Sequence, residues 1–149
     1  MIDFHNHVLP NVDDGPQFID ESLDMLRCAS KQGIKKVINT VHFQHPKMEN
    51  KNVDNKYLLN QLDILQKAIN DNNIDIELYL AAEVFYLPNL VEISSNPILT
   101  IGLGKYMLIE FTTNIYPTGF ENILFDLQIK VITPIIAHPE RYRFIQKDI

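Results

Sequence analysis

Ile2-Asp3-Phe4-His5-Asn6-His7 opens the chain as an apolar, strand-type run that ends in two histidines spaced i, i+2. In an extended backbone, residues two apart project to the same side. His5 and His7 can therefore offer two imidazoles to one metal ion. Four further donors have the same setting: His42, Glu83, Glu110 and His138 each follow a β-branched or apolar run. Imidazole mixed with carboxylate, and no thiolate, suits Mn²⁺, Fe²⁺ or Zn²⁺ in a working site more than a structural zinc site. Three histidines and a carboxylate could hold one ion; four and two suggest two or more ions with a bridging carboxylate. The competing reading is that strand ends are polar in any α/β protein, because the chain there emerges into solvent. Against it, all five such runs end in His or Glu, and none in Ser, Asn, Lys or Gly.

Other residues carry less. Arg141 lies three positions beyond His138, where a guanidinium could grip a phosphate or carboxylate through paired hydrogen bonds. It reads equally well as a surface arginine. Asp13-Asp14-Gly15 has the composition of a plain turn, from which Asp14 could reach the strand ends. His45, before Pro46, reads as a loop histidine. Cysteine-dependent phosphatases need C-x5-R, but Ile34 stands where the arginine would follow Cys28, which argues against thiolate chemistry. The sequence has no nucleophile elbow, Walker loop or dinucleotide fingerprint.

The elements that must position these groups follow from periodicity. Strands are expected at Met1–His5, Lys36–Val41, Ile76–Ala82, Tyr106–Ile109 and Val131–Ala137. Helices are expected at Phe18–Gln32, Val53–Asn70, Leu87–Ser95 and Phe120–Ile129, where stripes such as Leu58, Leu62, Leu65 and Ile69 recur at helical spacing. Pro10–Pro16 and Phe43–Asn52 read as loops. Strands alternating with helices imply βαβ units and a parallel α/β sheet, whose function gathers at the C-terminal strand ends.

At 149 residues and 46% hydrophobic, the chain is expected to form one domain with its own core. A net charge of −6 without basic clusters argues against nucleic acid. With no apolar run of bilayer length, no basic leader and a lone Cys28, it reads as a soluble cytoplasmic chain without membrane insertion.

Assembled, these residues resemble the PHP (polymerase and histidinol phosphatase) superfamily. The closer resemblance is to the bacterial metal-dependent tyrosine-protein phosphatases of capsule and exopolysaccharide synthesis. It rests on M-I-D-F-H-N-H-V-L-P-N-V-D-D-G-P at 1–16, A-A-E at 81–83, L-I-E-F at 108–111 and P-I-I-A-H-P-E-R at 134–141. The resemblance implies a distorted TIM-like (βα)7 barrel, here cut to about five parallel strands with helices, so that residues 1–149 would be a partial PHP metallophosphatase domain. It implies two or three ions, Mn²⁺ first and Fe²⁺ or Zn²⁺ as alternatives. His5 and His7 would hold one, and Glu83 would bridge it to a second bound by Glu110 and His138. His42 with Asp14 would help a third, and Arg141 would grip the phosphate. A metal-activated hydroxide would attack phosphorus in line, on a phosphotyrosine protein of the bacterial tyrosine-kinase type. Members of the family continue past the point where this chain stops, at Ile149, with further ligands. That raises two alternatives: a non-catalytic fragment, or a small-molecule phosphatase of the histidinol-phosphate type. Two open apolar strand edges would favour homo-oligomers.

Overall fold

The structure, a computed structural model, describes residues 1–48 and 54–146. Its contacts divide the chain into two units, Met1–Ala81 and Ala82–Ile149.

The first unit runs β1 (Ile2–Asn6), α1 (Ile19–Lys31), β2 (Lys36–Phe43), α2 (Asn55–Asp71) and the start of β3 (Glu77–Phe85), with the strands in sequential order. Helix α1 begins where the Glu21 carboxylate accepts the backbone N–H groups of Gln17 and Phe18, at 2.8 and 3.1 Å. Those donors have no partner within the helix. The helix buries Leu23 and Leu26. Helix α2 is capped by Asp54, which accepts from Lys56 and Tyr57, and it buries Leu58, Leu65 and Ile69. Both buried stripes follow the periodicity read from sequence. The expected start of α2 at Val53, and Glu49–Asn52 of the expected loop, lie outside the described residues.

β1 pairs parallel with β2, Ile2 opposite Lys36 and Asp3 opposite Val37. The register then shifts, and Asn6 stands opposite Asn39. Three steps along β1 thus match two along β2. Beyond the slip, the residues of β1 exchange faces relative to those of β2. Unshifted alternation would set His7 level with Val41; after the slip it shares the face of Thr40 and His42. The loop after β1 is tied down by the buried Asn39 side chain, whose oxygen accepts from Val8 N and Leu9 N at 2.6 and 2.8 Å.

The second unit holds the end of β3, α3 (Leu90–Ile93), a 3₁₀ turn (Pro97–Leu99), β4 (Tyr106–Glu110), α4 (Phe120–Ile129), β5 (Thr133–Ile136), a second 3₁₀ turn (Pro139–Arg141) and α5 (Arg143–Gln146). β3 pairs parallel with β4, and β4 with β5. Two expectations are corrected here. The short helix expected at Leu87–Ser95 is a single turn, Leu90–Ile93, which ends at Ser94 ahead of the 3₁₀ turn that opens at Pro97. The strand expected from Val131 begins at Thr133, because Val131 (φ +63°) adopts the left-handed conformation that closes α4, where Ile132 N reaches back to Leu127 O.

Tyr142 binds this unit internally. Its buried hydroxyl donates to Ala137 O at 2.7 Å and accepts from Phe111 N at 3.0 Å, joining the chain beyond β5 to the end of β4. Its ring lies edge-on to Phe111 and stacks on Phe144. Burial, with the charges of Glu110 and Glu83 adding to it, pushes the phenol up to about 12, although the Phe111 N–H and Arg141 pull the other way.

Tyr142→Phe is expected to lower unfolding stability by about 1–3 kcal/mol, because it strands a buried N–H and a buried carbonyl. The raised phenol also has a sign. Its contribution is fully present below pH 10, the ordinary phenol value, and is lost as pH rises toward 12. Urea melts between pH 8 and 11 should show the wild-type advantage over the Phe variant shrinking above pH 10.

Candidate metal centre

In the first unit the donor groups gather where β1 and β2 end. The His7 and His42 rings lie 4.7 Å apart between centroids, brought to one face by the register slip of β1. Asp14 Oδ1 is 3.4 Å from His42 Nε2 and 3.8 Å from His7 Nδ1. His7, Asp14 and His42 can each supply one donor atom with all three atoms within 4.8 Å of one another. Two donors about 2.1 Å from one ion stand roughly 3.0–3.5 Å apart at octahedral to tetrahedral angles. The 3.4 Å between His42 Nε2 and Asp14 Oδ1, with the nitrogen and oxygen chemistry of the group, fits a divalent cation. The His5 ring lies 5.6 Å from that of His7. His45, read as a loop histidine, does lie in the loop after β2, with its ring 5.1 Å from His42.

Asp13 and Gly15 were missed as functional residues in the sequence reading. Asp13 turns inward, its side chain 1% exposed against 62% for Asp14. It lies 3.0 Å from His7 Nδ1 and accepts the backbone N–H groups of His42 and Gly15. Burial raises its carboxyl pKa, but the His7 hydrogen bond and charge, followed by the two backbone donors, bring it below the ordinary value. Asp followed two residues later by Gly signals a tight turn. Nothing in the residue types says which of two adjacent aspartates faces inward.

In the second unit, Glu83 is 0% exposed and stands opposite Leu108 of β4. Glu110, two residues past Leu108, faces the same way as Glu83 by strand alternation. His138 would face the opposite way if β5 ran on, since Ile136 is level with Ile109. Instead the strand stops and His138 takes left-handed backbone angles (φ 47°, ψ 50°), which re-aim its ring. His138 Nε2 then lies 3.8 Å from Glu83 Oε1, and its Nδ1 3.5 Å from Glu140 Oε1. A non-glycine residue held there costs about 1–3 kcal/mol and is typical of functional positions. Arg141 closes the same turn, its N–H donating to His138 O at 2.9 Å. Its side chain is 58% exposed, with Nε 3.7 Å from Glu140.

The sequence matches the family described as "Capsular polysaccharide synthesis, CpsB/CapC" along residues 1–149. The chain belongs to the CpsB/CapC family. It is 33% identical over 149 residues to the tyrosine-protein phosphatase YwqE of Bacillus subtilis, spanning 99% of this chain and 58% of that one. It is 32% identical over 155 residues to the tyrosine-protein phosphatase CpsB of Streptococcus pneumoniae, spanning 99% of this chain and 60% of that one. Its fold superposes with a TM-score of 0.87 and 33% identity on a chain from the crystal structures of those two proteins, described as unique metal-dependent tyrosine phosphatases. That match covers 99% of this chain and 59% of the solved one. The chain thus spans somewhat over half the length of these CpsB/CapC relatives.

Gly15 gives this site a direct test. A Cβ at that position would sit 2.4 Å from the His7 carbonyl oxygen. Gly15→Ala is expected to push the loop off His7 and lower stability by about 1–3 kcal/mol. Differential scanning calorimetry checks it, and an unchanged melting temperature would contradict the close approach.

Proposed function

We propose that the chain is the N-terminal portion of a cytoplasmic metal-dependent tyrosine-protein phosphatase that regulates capsule or exopolysaccharide synthesis. It would act on phosphotyrosine of a protein such as a bacterial tyrosine kinase, with Mn²⁺ as the resident metal and Fe²⁺ or Zn²⁺ as substitutes. The observation that carries this reading is the His7–Asp14–His42 donor group, set at strand ends in a CpsB/CapC chain. Metal-dependence and tyrosine-phosphatase activity, as named for the relatives, support it.

His5, His7, His42 and Asp14 in the first unit, and Glu83, Glu110 and His138 in the second, would be the metal ligands. When bound, such ions offset phosphate charge and make water a better nucleophile. Glu83 is suited to hold a cation because a wholly buried carboxylate is costly without positive charge nearby. Arg141, with its guanidinium at the surface of the turn that begins at His138, would grip the phosphoryl oxygens and stabilise charge as the ester bond breaks. Among the described residues no helix is long and apolar enough to cross a membrane. Self-association belongs to the same proposal.

Purified protein should hydrolyse a phosphotyrosine peptide in Mn²⁺ and lose that activity in EDTA. It should prefer the peptide to histidinol phosphate, and Arg141→Ala should cost roughly 10²–10³-fold in kcat. Turnover that ignores both metal and Arg141 would overturn the proposal, and a preference for histidinol phosphate would move it to small-molecule substrates.

A further inference from the structure

Resting on the metal-site reading of the first unit, we infer that Asp13 is a positioning residue that fixes which nitrogen of His7 faces the metal. A neutral imidazole has one N–H and one lone pair, and only the lone pair binds a cation. Asp13 Oδ2 lies 3.0 Å from His7 Nδ1. An ionised carboxylate can only accept, so Nδ1 must carry the hydrogen and Nε2 is left with the lone pair.

The oxygens of Asp13 are taken up by its neighbours. Oδ2 also accepts the His42 backbone N–H at 3.2 Å, and Oδ1 accepts that of Gly15 at 3.2 Å. With its side chain buried, Asp13 is held back from serving as a ligand itself, whereas Asp14 next to it is open to solvent. One carboxylate therefore orients the His7 ring, ties it to the strand that carries His42, and fixes the turn that presents Asp14. The adjacent Asp13 and Asp14 divide the work: one aims a ligand, and the other lies among the ligands. Gly15 completes the turn, because only a residue without Cβ fits against the His7 carbonyl.

Asp13→Asn is nearly isosteric but changes the logic of the contact. When its amide oxygen takes the place of Oδ1 and accepts from Gly15, the NH₂ takes the place of Oδ2 and faces His7. Nδ1 must then be the acceptor, and the hydrogen moves to Nε2, where it blocks the metal; an Asp→Asn change behind a catalytic histidine imposes the wrong tautomer in this way. Long-range ¹H–¹⁵N spectra of the metal-free protein above pH 8 read the tautomer directly. The expected result is Nδ1–H for His7 in the wild type and Nε2–H in Asp13→Asn. Mn²⁺ affinity by isothermal titration should fall about 10–100-fold in the variant, with its circular dichroism unchanged.

A wild-type His7 in the Nε2–H form would overturn the inference, as would an Asp13→Asn protein with undiminished Mn²⁺ affinity. Should the variant not fold, the wild-type tautomer still decides. Wild-type protein that takes up no Mn²⁺ would overturn the metallophosphatase reading instead, and the tautomer in that same sample would judge the Asp13 contact separately.

Discussion

A carboxylate taken out of water stays ionised only if donors replace the water it has lost, and Asp13 has three of them. They come from the His7 side chain, from the strand bearing His42 and from the turn that continues from Asp13 itself. This one group therefore converts three separate stretches of chain into a fixed arrangement. Breaking any of the three contacts exposes the same buried charge to the loss, so the arrangement tends to hold as a whole or not at all. The register slip in β1 is part of the same constraint, because without it His7 would face away from His42.

The second unit solves a related problem differently. Its donors are placed by strand alternation as far as Glu110, and alternation then fails by one residue for His138. Backbone strain makes up the difference, and the strained turn is braced from both sides. Tyr142 clamps the carbonyl of Ala137, just before it, to the N–H of Phe111, just after Glu110. Around that clamp, the rings of Phe111, Phe120, Tyr142 and Phe144 pack edge to face or stacked, giving the short α5 an apolar seat that four residues could not provide alone.

Much of this was legible in the sequence. The α/β alternation, the helices at 19–31, 55–71 and 120–129 and the five strand centres follow from periodicity and turn residues, since these report burial directly. The capsular tyrosine-phosphatase resemblance holds, and the motifs at 1–16, 81–83, 108–111 and 134–141 carried it. What sequence could not supply is geometry that departs from regular repeats. A slip between Asp3 and Asn6 leaves no mark in residue type. Left-handed backbone at Val131 and His138 falls on residues that do not advertise it, unlike Gly33 and Gly119. The inward turn of Asp13 depends on which of two identical side chains finds donors, and that is decided by tertiary contacts 29 residues away at His42.

The account stands on a cation held by imidazole and carboxylate groups in the turn after β1. The most direct measurement is an anomalous-scattering map from a crystal grown in Mn²⁺ and recorded near the manganese edge. The account predicts a peak within coordination distance of His7 Nε2, His42 Nε2 and an Asp14 oxygen, with Asp13 outside that distance. A metal-soaked crystal whose anomalous peaks all lie away from His7 and His42 would contradict it.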